Sequence, residues 1–259
     1  MRERVYAGAI FLEAATGASR ALVEAVRKLL EAQLGPAIES AQHRMSPEEH
    51  FEAIGRVRAR LAGDAAIHER VQAVATSVGL DAEASAIDRL RLRANRHEGD
   101  LNPQAAAAYT AHRDTWFANP RAQINCWIPL HDVDSDETFV IYPSAFGASV
   151  PNDSERFDYD VFRRTVGFQA LAGRPTEDVV YPTTNVELTD ELRFAARAGD
   201  VLVFSGAHLH RPLAHRSGRT RFSVDFRVVH LADHAAGLGA PEVDGRARGS
   251  ALVDYVRPR

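Results

Sequence analysis

The sequence predicts an α+β chain, with a helical first third and an antiparallel barrel or sandwich behind it. Apolar residues recur at helical spacing between Leu22 and Val78. From residue 86 onward, short β-branched and aromatic runs follow one another, broken by Gly, Pro, Asn and Asp. Consecutive strands after a block of helices are the pattern of an α+β fold with an all-antiparallel core. The 259 residues suffice for one large domain with a substantial core. A hydrophobic fraction of 45% and a charged fraction of 25% exclude a disordered or low-complexity chain.

Taken in order, Arg2 and Arg4 precede an apolar run from Val5 to Leu12 that stops at Glu13. The run is too short for a targeting segment and reads as a first strand. Leu22, Val23, Val26, Leu29, Leu30 and Leu34 form a helical stripe, with Ser19 as its cap and Gly35-Pro36 as its stop. Ser46-Pro47-Glu48-Glu49 is a capping box opening a second helix, whose stripe is Phe51, Ile54, Val57 and Leu61. Ile67, Val71, Val74 and Val78 give a third, ended by Gly79. Strands are then predicted around 87–92 and over 109–116, 122–130, 138–142, 186–188, 192–196, 201–204 and 222–230. Residues 143–185 carry Pro143, Pro151, Pro175 and Pro182, and a charged stretch that Phe157, Tyr159, Phe162 and Phe168 can anchor with a short helix. A loop of that length inside a compact domain reads as a lid. The expectation is a single domain over 1–259, with helical support in 1–85, a barrel in 86–235, a lid-like insertion over 143–185 and a C-terminal tail from 236.

A formal charge of −4 offers no basic excess for nucleic acid or an anionic membrane. No stretch approaches the roughly 20 apolar residues of a membrane span. Cys126 is the sole cysteine, so no disulfide forms within the chain and a reducing, cytoplasmic setting is expected. The expected partner is a small-molecule substrate, with a homodimer open.

Two segments carry chemistry. In the first, His112-Arg113-Asp114, residues i and i+2 of a strand would point an imidazole and a carboxylate to one face. A histidine from a distant strand would complete a 2-His-1-carboxylate set, which leaves metal positions open. In the second, the apolar run Val201–Phe204 delivers His208 or His210, and Arg221 opens an alternating strand eleven residues after His210. Arg221, Ser223, Asp225 and Arg227 share one face of that strand, opposite Phe222, Val224, Phe226 and Val228. A polar inward face is costly unless it lines a pocket. An Arg and a Ser two apart can bind a carboxylate through a bidentate fork and a hydroxyl. His208 with Arg219 has the same spacing, but Arg221 opens the alternation and brings Ser223, which favours His210. His131, before a polar turn, reads as a surface residue.

The series His112-x-Asp114, His210 and Arg221-x-Ser223 resembles the Fe(II)/2-oxoglutarate-dependent dioxygenases, with the phytanoyl-CoA hydroxylase-like branch nearest. The resemblance covers roughly residues 86–230. It implies a double-stranded β-helix, a jelly-roll or cupin-like barrel, backed by the N-terminal helices. It further implies Fe(II) on His112, Asp114 and His210, and 2-oxoglutarate on Arg221 with Ser223 assisting. The same resemblance implies O₂ as the oxidant and hydroxylation or a related C–H oxidation of a small, biosynthetic substrate. Ile141-Tyr142-Pro143-Ser144-Ala145-Phe146 departs from the family, standing where many relatives have a Pro-Gly-Ser-His turn. Gln123 and Asn125 alternate on a strand and are expected on the cosubstrate, with Trp127 open between pocket and plain core. Trp116 and Arg227 are expected to contact substrate. Two other readings remain at this point. One is a cupin-type metalloenzyme that uses no 2-oxoglutarate, and the other is a non-catalytic β-helix that binds a small molecule.

Overall fold

The computed structural model describes residues 1–102, 109–165 and 181–257. A short helix α1 (Arg2–Tyr6) and strand β1 (Phe11–Glu13) precede three helices, α2 (Gly17–Leu34), α3 (Pro47–Gly63) and α4 (Ala65–Ser77). Strands β2 (Ser85–Ile87), β3 (Arg91–Asn95), β4 (Gln123–Pro129) and β5 (Phe139–Ile141) follow, then helix α5 (Tyr159–Thr165). Strands β6 (Val201–Ser205), β7 (His210–Pro212) and β8 (Arg221–His230) and helix α6 (Leu231–Ala235) complete the regular elements described.

Among the described residues the strands form two antiparallel sheets. The larger has six strands in the order β1-β6-β4-β8-β2, with β3 also paired to β8, and the smaller is β5 with β7. These ladders do not close into a continuous barrel. The ten-residue strand β8 is the axis of the arrangement, because it pairs with β4 along one edge and with β2 and β3 along the other.

The period of two decides which face of the large sheet meets which layer. Phe222, Val224, Phe226 and Val228 of β8, with Ile124, Cys126 and Ile128 of β4, pack into one cluster with Leu22, Val26, Ile54 and Val74 of the helices. The alternate positions turn away from the helices. There Trp127, Leu202 and Phe204 form a smaller cluster with Phe139 of β5. The Phe139 ring lies 5.5 Å from Trp127 and 5.7 Å from Phe204, so the small sheet covers the inner face of the large one.

Several sequence expectations are corrected. The first apolar run is not one strand: Val5 is buried in α1, and the chain turns at Gly8, at φ +94°, before β1 begins. The cap of α2 is Thr16, with Ser19 the third helical residue of its capping box. The Ser46–Glu49 box and the stop at Gly35 stand as read. The run around 87–92 is two strands, and 192–196 makes only isolated bridges, at Leu192 and Ala196. Val186–Leu188 has no strand. Phe157, Tyr159 and Phe162 are buried and anchor the start of the 143–185 segment, while Phe168 and Pro175 lie outside the described residues. Among the described residues, no helix is long and apolar enough to cross a membrane.

Candidate metal centre

The stretch over 109–116 is not the strand the spacing suggested. His112 forms an isolated antiparallel bridge to His210, and Asp114 then opens a 3-10 turn over Asp114–Phe117. The i, i+2 logic survives because the backbone is extended up to Arg113. The bridge is closed by both amides, His112 N to His210 O and His210 N to His112 O, each at 3.0 Å. Two residues 98 positions apart are thereby held side by side, with ring centroids 4.5 Å apart. Asp114 is fixed by its own amide, which donates to Gly206 O at 2.9 Å.

One ligand atom from each of His112, Asp114 and His210 lies within 4.8 Å of the others, close enough to hold a metal ion. Both histidines are prepared in the same way. His112 Nδ1 donates to Thr110 O at 3.0 Å, and His210 Nδ1 donates to His208 O at 3.0 Å. Fixing the proton on Nδ1 leaves the Nε2 lone pair as the ligand atom. Burial, and then His210 facing it, pushes the His112 imidazolium down to about 4, so the ring is neutral and able to coordinate at neutral pH. Burial works against ionisation of Asp114. The Arg227 guanidinium, the two imidazoles and the Asn125 amide outweigh it and hold the carboxyl well below the usual range. Two imidazoles and one carboxylate form a donor set for a divalent metal with sites left open.

Gln123 and Asn125, expected on the cosubstrate, are committed instead to Asp114. Gln123 Nε2 donates to Asp114 Oδ2 at 2.8 Å and Asn125 Nδ2 donates to the same oxygen at 2.6 Å. Arg227, expected on the substrate, is buried and taken up by carboxylates. Its Nη1 lies 3.3 Å from Asp88 Oδ2, and its Nη2 lies 3.5 Å from Asp114 Oδ1. Trp116 does not wall the site, since it is fully buried and its Nε1 donates to Asp244 Oδ1 at 2.7 Å. Asp225 pairs with Arg93 at 2.8 Å.

The other end of β8 differs. Arg221 is 3% exposed, and among the described residues its Nε and Nη1 have no hydrogen-bond partner. Ser223 is fully buried and its Oγ also lacks one. Burial lowers the Arg221 guanidinium only to about 10, so it stays charged at neutral pH. A buried, charged, unpaired fork beside an unpaired hydroxyl is the complement of a carboxylate. Trp127 borders it, with Arg221 Cζ 5.8 Å from the ring. Ring contacts connect the two ends of the interior: Trp127 to Phe139 at 5.5 Å, and Phe139 to His210 at 5.9 Å. The rival pair lies elsewhere. Arg219 is bound to Glu137, and His208 lies outside the triad, its Nε2 3.2 Å from Gly8 O. His131 is buried rather than on the surface, and its Nε2 accepts from Phe222 N at 3.1 Å.

A cavity of about 370 Å³ is lined by residues next in sequence to two of the ligands. Thr110 and Ala111, just before His112, and Arg211, just after His210, line it together with Tyr142, Thr183 and Asn185. Arg211 is held by Glu191 at 2.8 Å, leaving hydroxyl and amide groups as the main polar lining.

The sequence reading missed three contributors. Tyr255 donates to Gln123 Oε1 at 2.7 Å. Arg113, between the two ligands, is buried and ties Asp244 of the tail to the carbonyls of Ala145 and Ala148. Gly206 has no room for a side chain, because a Cβ there would stand 2.8 Å from Gln123 Nε2. Only Gly206 carried a signal, as a glycine beside the predicted ligand strand.

No family model matches the chain, and no curated protein matches it. Solved structures do resemble it. The non-heme monooxygenase ThoJ, in its apo form, is 13% identical over 100% of this chain and 87% of its own, with a TM-score of 0.48. HygX from Streptomyces hygroscopicus, with iron bound, is 14% identical over 98% of both chains, with a TM-score of 0.47. The epimerase SnoN, in complex with Fe³⁺, alpha ketoglutarate and nogalamycin RO, is 17% identical over 99% of this chain and 94% of its own, with a TM-score of 0.43. Likenesses at this level carry no chemistry across to this chain, whose own His112, Asp114 and His210 form a set that can hold a metal ion.

Proposed function

We propose that the protein is a non-haem Fe(II)- and 2-oxoglutarate-dependent oxygenase acting on a small molecule. One observation carries this reading. The interior that holds the His112, Asp114 and His210 set also holds a buried cation, Arg221, whose Nε and Nη1 lack partners, beside the unpartnered hydroxyl of Ser223. A metal set alone fits many proteins. A metal set with an unpaired Arg and Ser in the same interior fits an enzyme whose cosubstrate is a dicarboxylate. The two sheets, one lying over the inner face of the other, agree with a double-stranded β-helix core.

His112 Nε2, His210 Nε2 and one Asp114 oxygen would hold Fe(II), and Arg221 with Ser223 would hold the distal carboxylate of 2-oxoglutarate. When bound, the metal and cosubstrate together supply activation of O₂ for oxidation of a substrate C–H bond. The chain's own part is positional. The Nδ1–H bonds to Thr110 and His208 keep each imidazole in one tautomer and orientation. Gln123, Asn125 and Arg227 hold Asp114 ionised and in place. The rings of Trp127, Phe139 and Phe204 keep water from the interior between the two ends. The cavity lined by Thr110, Ala111 and Arg211 would receive the substrate, and its hydroxyl lining suits a polar molecule.

Anaerobic titration of the apoprotein with Fe(II), followed by 2-oxoglutarate, tests the reading. The expected result is the weak visible charge-transfer absorption of the chelate. Iron binding without that absorption would favour a metalloenzyme that uses no 2-oxoglutarate. Binding of neither would leave a small-molecule-binding scaffold.

A further inference from the structure

We propose that Tyr255, in the C-terminal tail, is a positioning residue for Asp114. Its hydroxyl orders the Gln123 and Asn125 amides so that both deliver N–H to one carboxylate oxygen. The inference deepens the function proposed above and rests on it.

The hydrogen bonds have one consistent direction. Asp114 is ionised and can only accept, so its Oδ2 must be met by nitrogen: Gln123 Nε2 at 2.8 Å and Asn125 Nδ2 at 2.6 Å. The second hydrogen of Gln123 Nε2 goes to Asn125 Oδ1 at 2.7 Å. Gln123 Oε1 is then left to accept, and the Tyr255 hydroxyl donates to it at 2.7 Å. The phenol stands at the head of the chain; its oxygen also lies 3.5 Å from Asn119 Oδ1, a longer contact than the 2.7 Å bond to Gln123. Burial, and then Asp88, keeps the Tyr255 phenol protonated far into the alkaline range, so it remains a donor. Without it, Gln123 Oε1 loses its donor, and the amide that meets Asp114 through Nε2 is held by two hydrogen bonds in place of three. Oδ2 carries both amide bonds, whereas Oδ1, among the described residues, has the 3.5 Å contact to Arg227. Oδ1 is therefore the oxygen left for a metal.

The tail is docked independently of this relay. Val256 bridges Ile87, and the Tyr159 hydroxyl donates to Asp254 Oδ2 at 2.7 Å. Tyr159→Phe thus removes a phenol bond that holds the same tail but is not part of the Gln123–Asn125 chain, which makes it the control for a merely structural effect.

The experiment is titration of the full-length apoprotein with Co(II), read by its d–d absorption, alongside thermal melts without metal. Tyr255→Phe is expected to weaken Co(II) binding by about tenfold, the lower end for an outer partner of a ligand, and to alter the d–d bands. Tyr159→Phe should leave affinity and spectrum as in wild type while lowering the melting temperature. Gln123→Met should weaken Co(II) as Tyr255→Phe does, and the double variant should lose no more than either alone, because both cut the same chain. Wild-type affinity and spectrum in Tyr255→Phe would overturn the relay, as would an equal loss in Tyr159→Phe or full additivity with Gln123→Met. A wild-type protein that binds no Co(II) would overturn the metal site itself, and the relay with it.

Discussion

The two ends of β8's inner face carry the same chemistry in opposite states. At one end, Arg227 is matched twice, by Asp88 and by Asp114. At the other, Arg221 is equally buried and two of its nitrogens have no partner among the described residues, as is true of Ser223 Oγ. Removing a guanidinium from water costs several kcal/mol unless charges and hydrogen bonds compensate it. The matched end recovers that cost within the fold, whereas the unmatched end leaves it outstanding until something anionic enters. Paired buried charge therefore marks scaffold here, and unpaired buried charge marks ligand.

Substitution separates the ends. The largest effect is expected at the carboxylate shared by scaffold and site. Asp114→Ala should reduce Fe(II) affinity by more than the roughly 10–100-fold that loss of an outer partner costs. It should also abolish 2-oxoglutarate turnover, measured as succinate release. Wild-type turnover in that variant would remove Asp114 from the centre. Next, Arg227→Met should destabilise the apoprotein by about 3 kcal/mol, the low end for a broken buried pair. The loss stays at that end because Arg91 still pairs with Asp88 at 3.0 Å. Chemical denaturation without metal or cosubstrate measures it, and an unchanged midpoint would mean the matched end is not scaffold.

Arg221→Met should do the reverse. The apoprotein should be as stable as wild type, or more so, because an uncompensated charge has been replaced by an apolar chain of similar length. The 2-oxoglutarate concentration for half-maximal binding should rise about a hundredfold or more, since each hydrogen bond to a charged group is worth about 1.5–3 kcal/mol. Equal destabilisation of the Arg221 and Arg227 variants would dissolve the contrast between the ends.

How much of this was legible in the sequence follows from the range of each interaction. The helices were, because Ser46 and Glu49 cap one another within a single turn. The two faces of β8 were, because alternation is local and the apolar half meets the helices. The grouping of His112, Asp114 and His210 came from residue types at a spacing, but the reason given for it was incomplete. The strand ends at Arg113, and what aligns the ligands is a bridge to a segment 98 residues away. Gln123, Asn125 and Arg227 were rightly turned inward and wrongly given ligands, since alternation reports a side chain's face and not its partner. Their partners, Asp114, Asp88 and Tyr255, come from separate parts of the chain. Tyr255 lies in a tail with no periodic pattern, so nothing local could announce it.

The smallest effect gives the finest test of the contrast. Ser223 Oγ is fully buried and without a partner, and it lies two residues from Arg221 on the same face. If it waits for a carboxylate oxygen, Ser223→Ala removes one neutral hydrogen bond from the bound state and none from the free one. The expected loss in 2-oxoglutarate affinity is then about 1 kcal/mol, roughly fivefold. The free protein should gain slightly, because a desolvated hydroxyl with no partner costs more than a methyl group in the same space. Isothermal titration with 2-oxoglutarate and a denaturant curve of the apoprotein read the two quantities separately. A variant that binds 2-oxoglutarate as well as wild type but unfolds more easily would make Ser223 part of the scaffold, leaving Arg221 alone as the unmatched group.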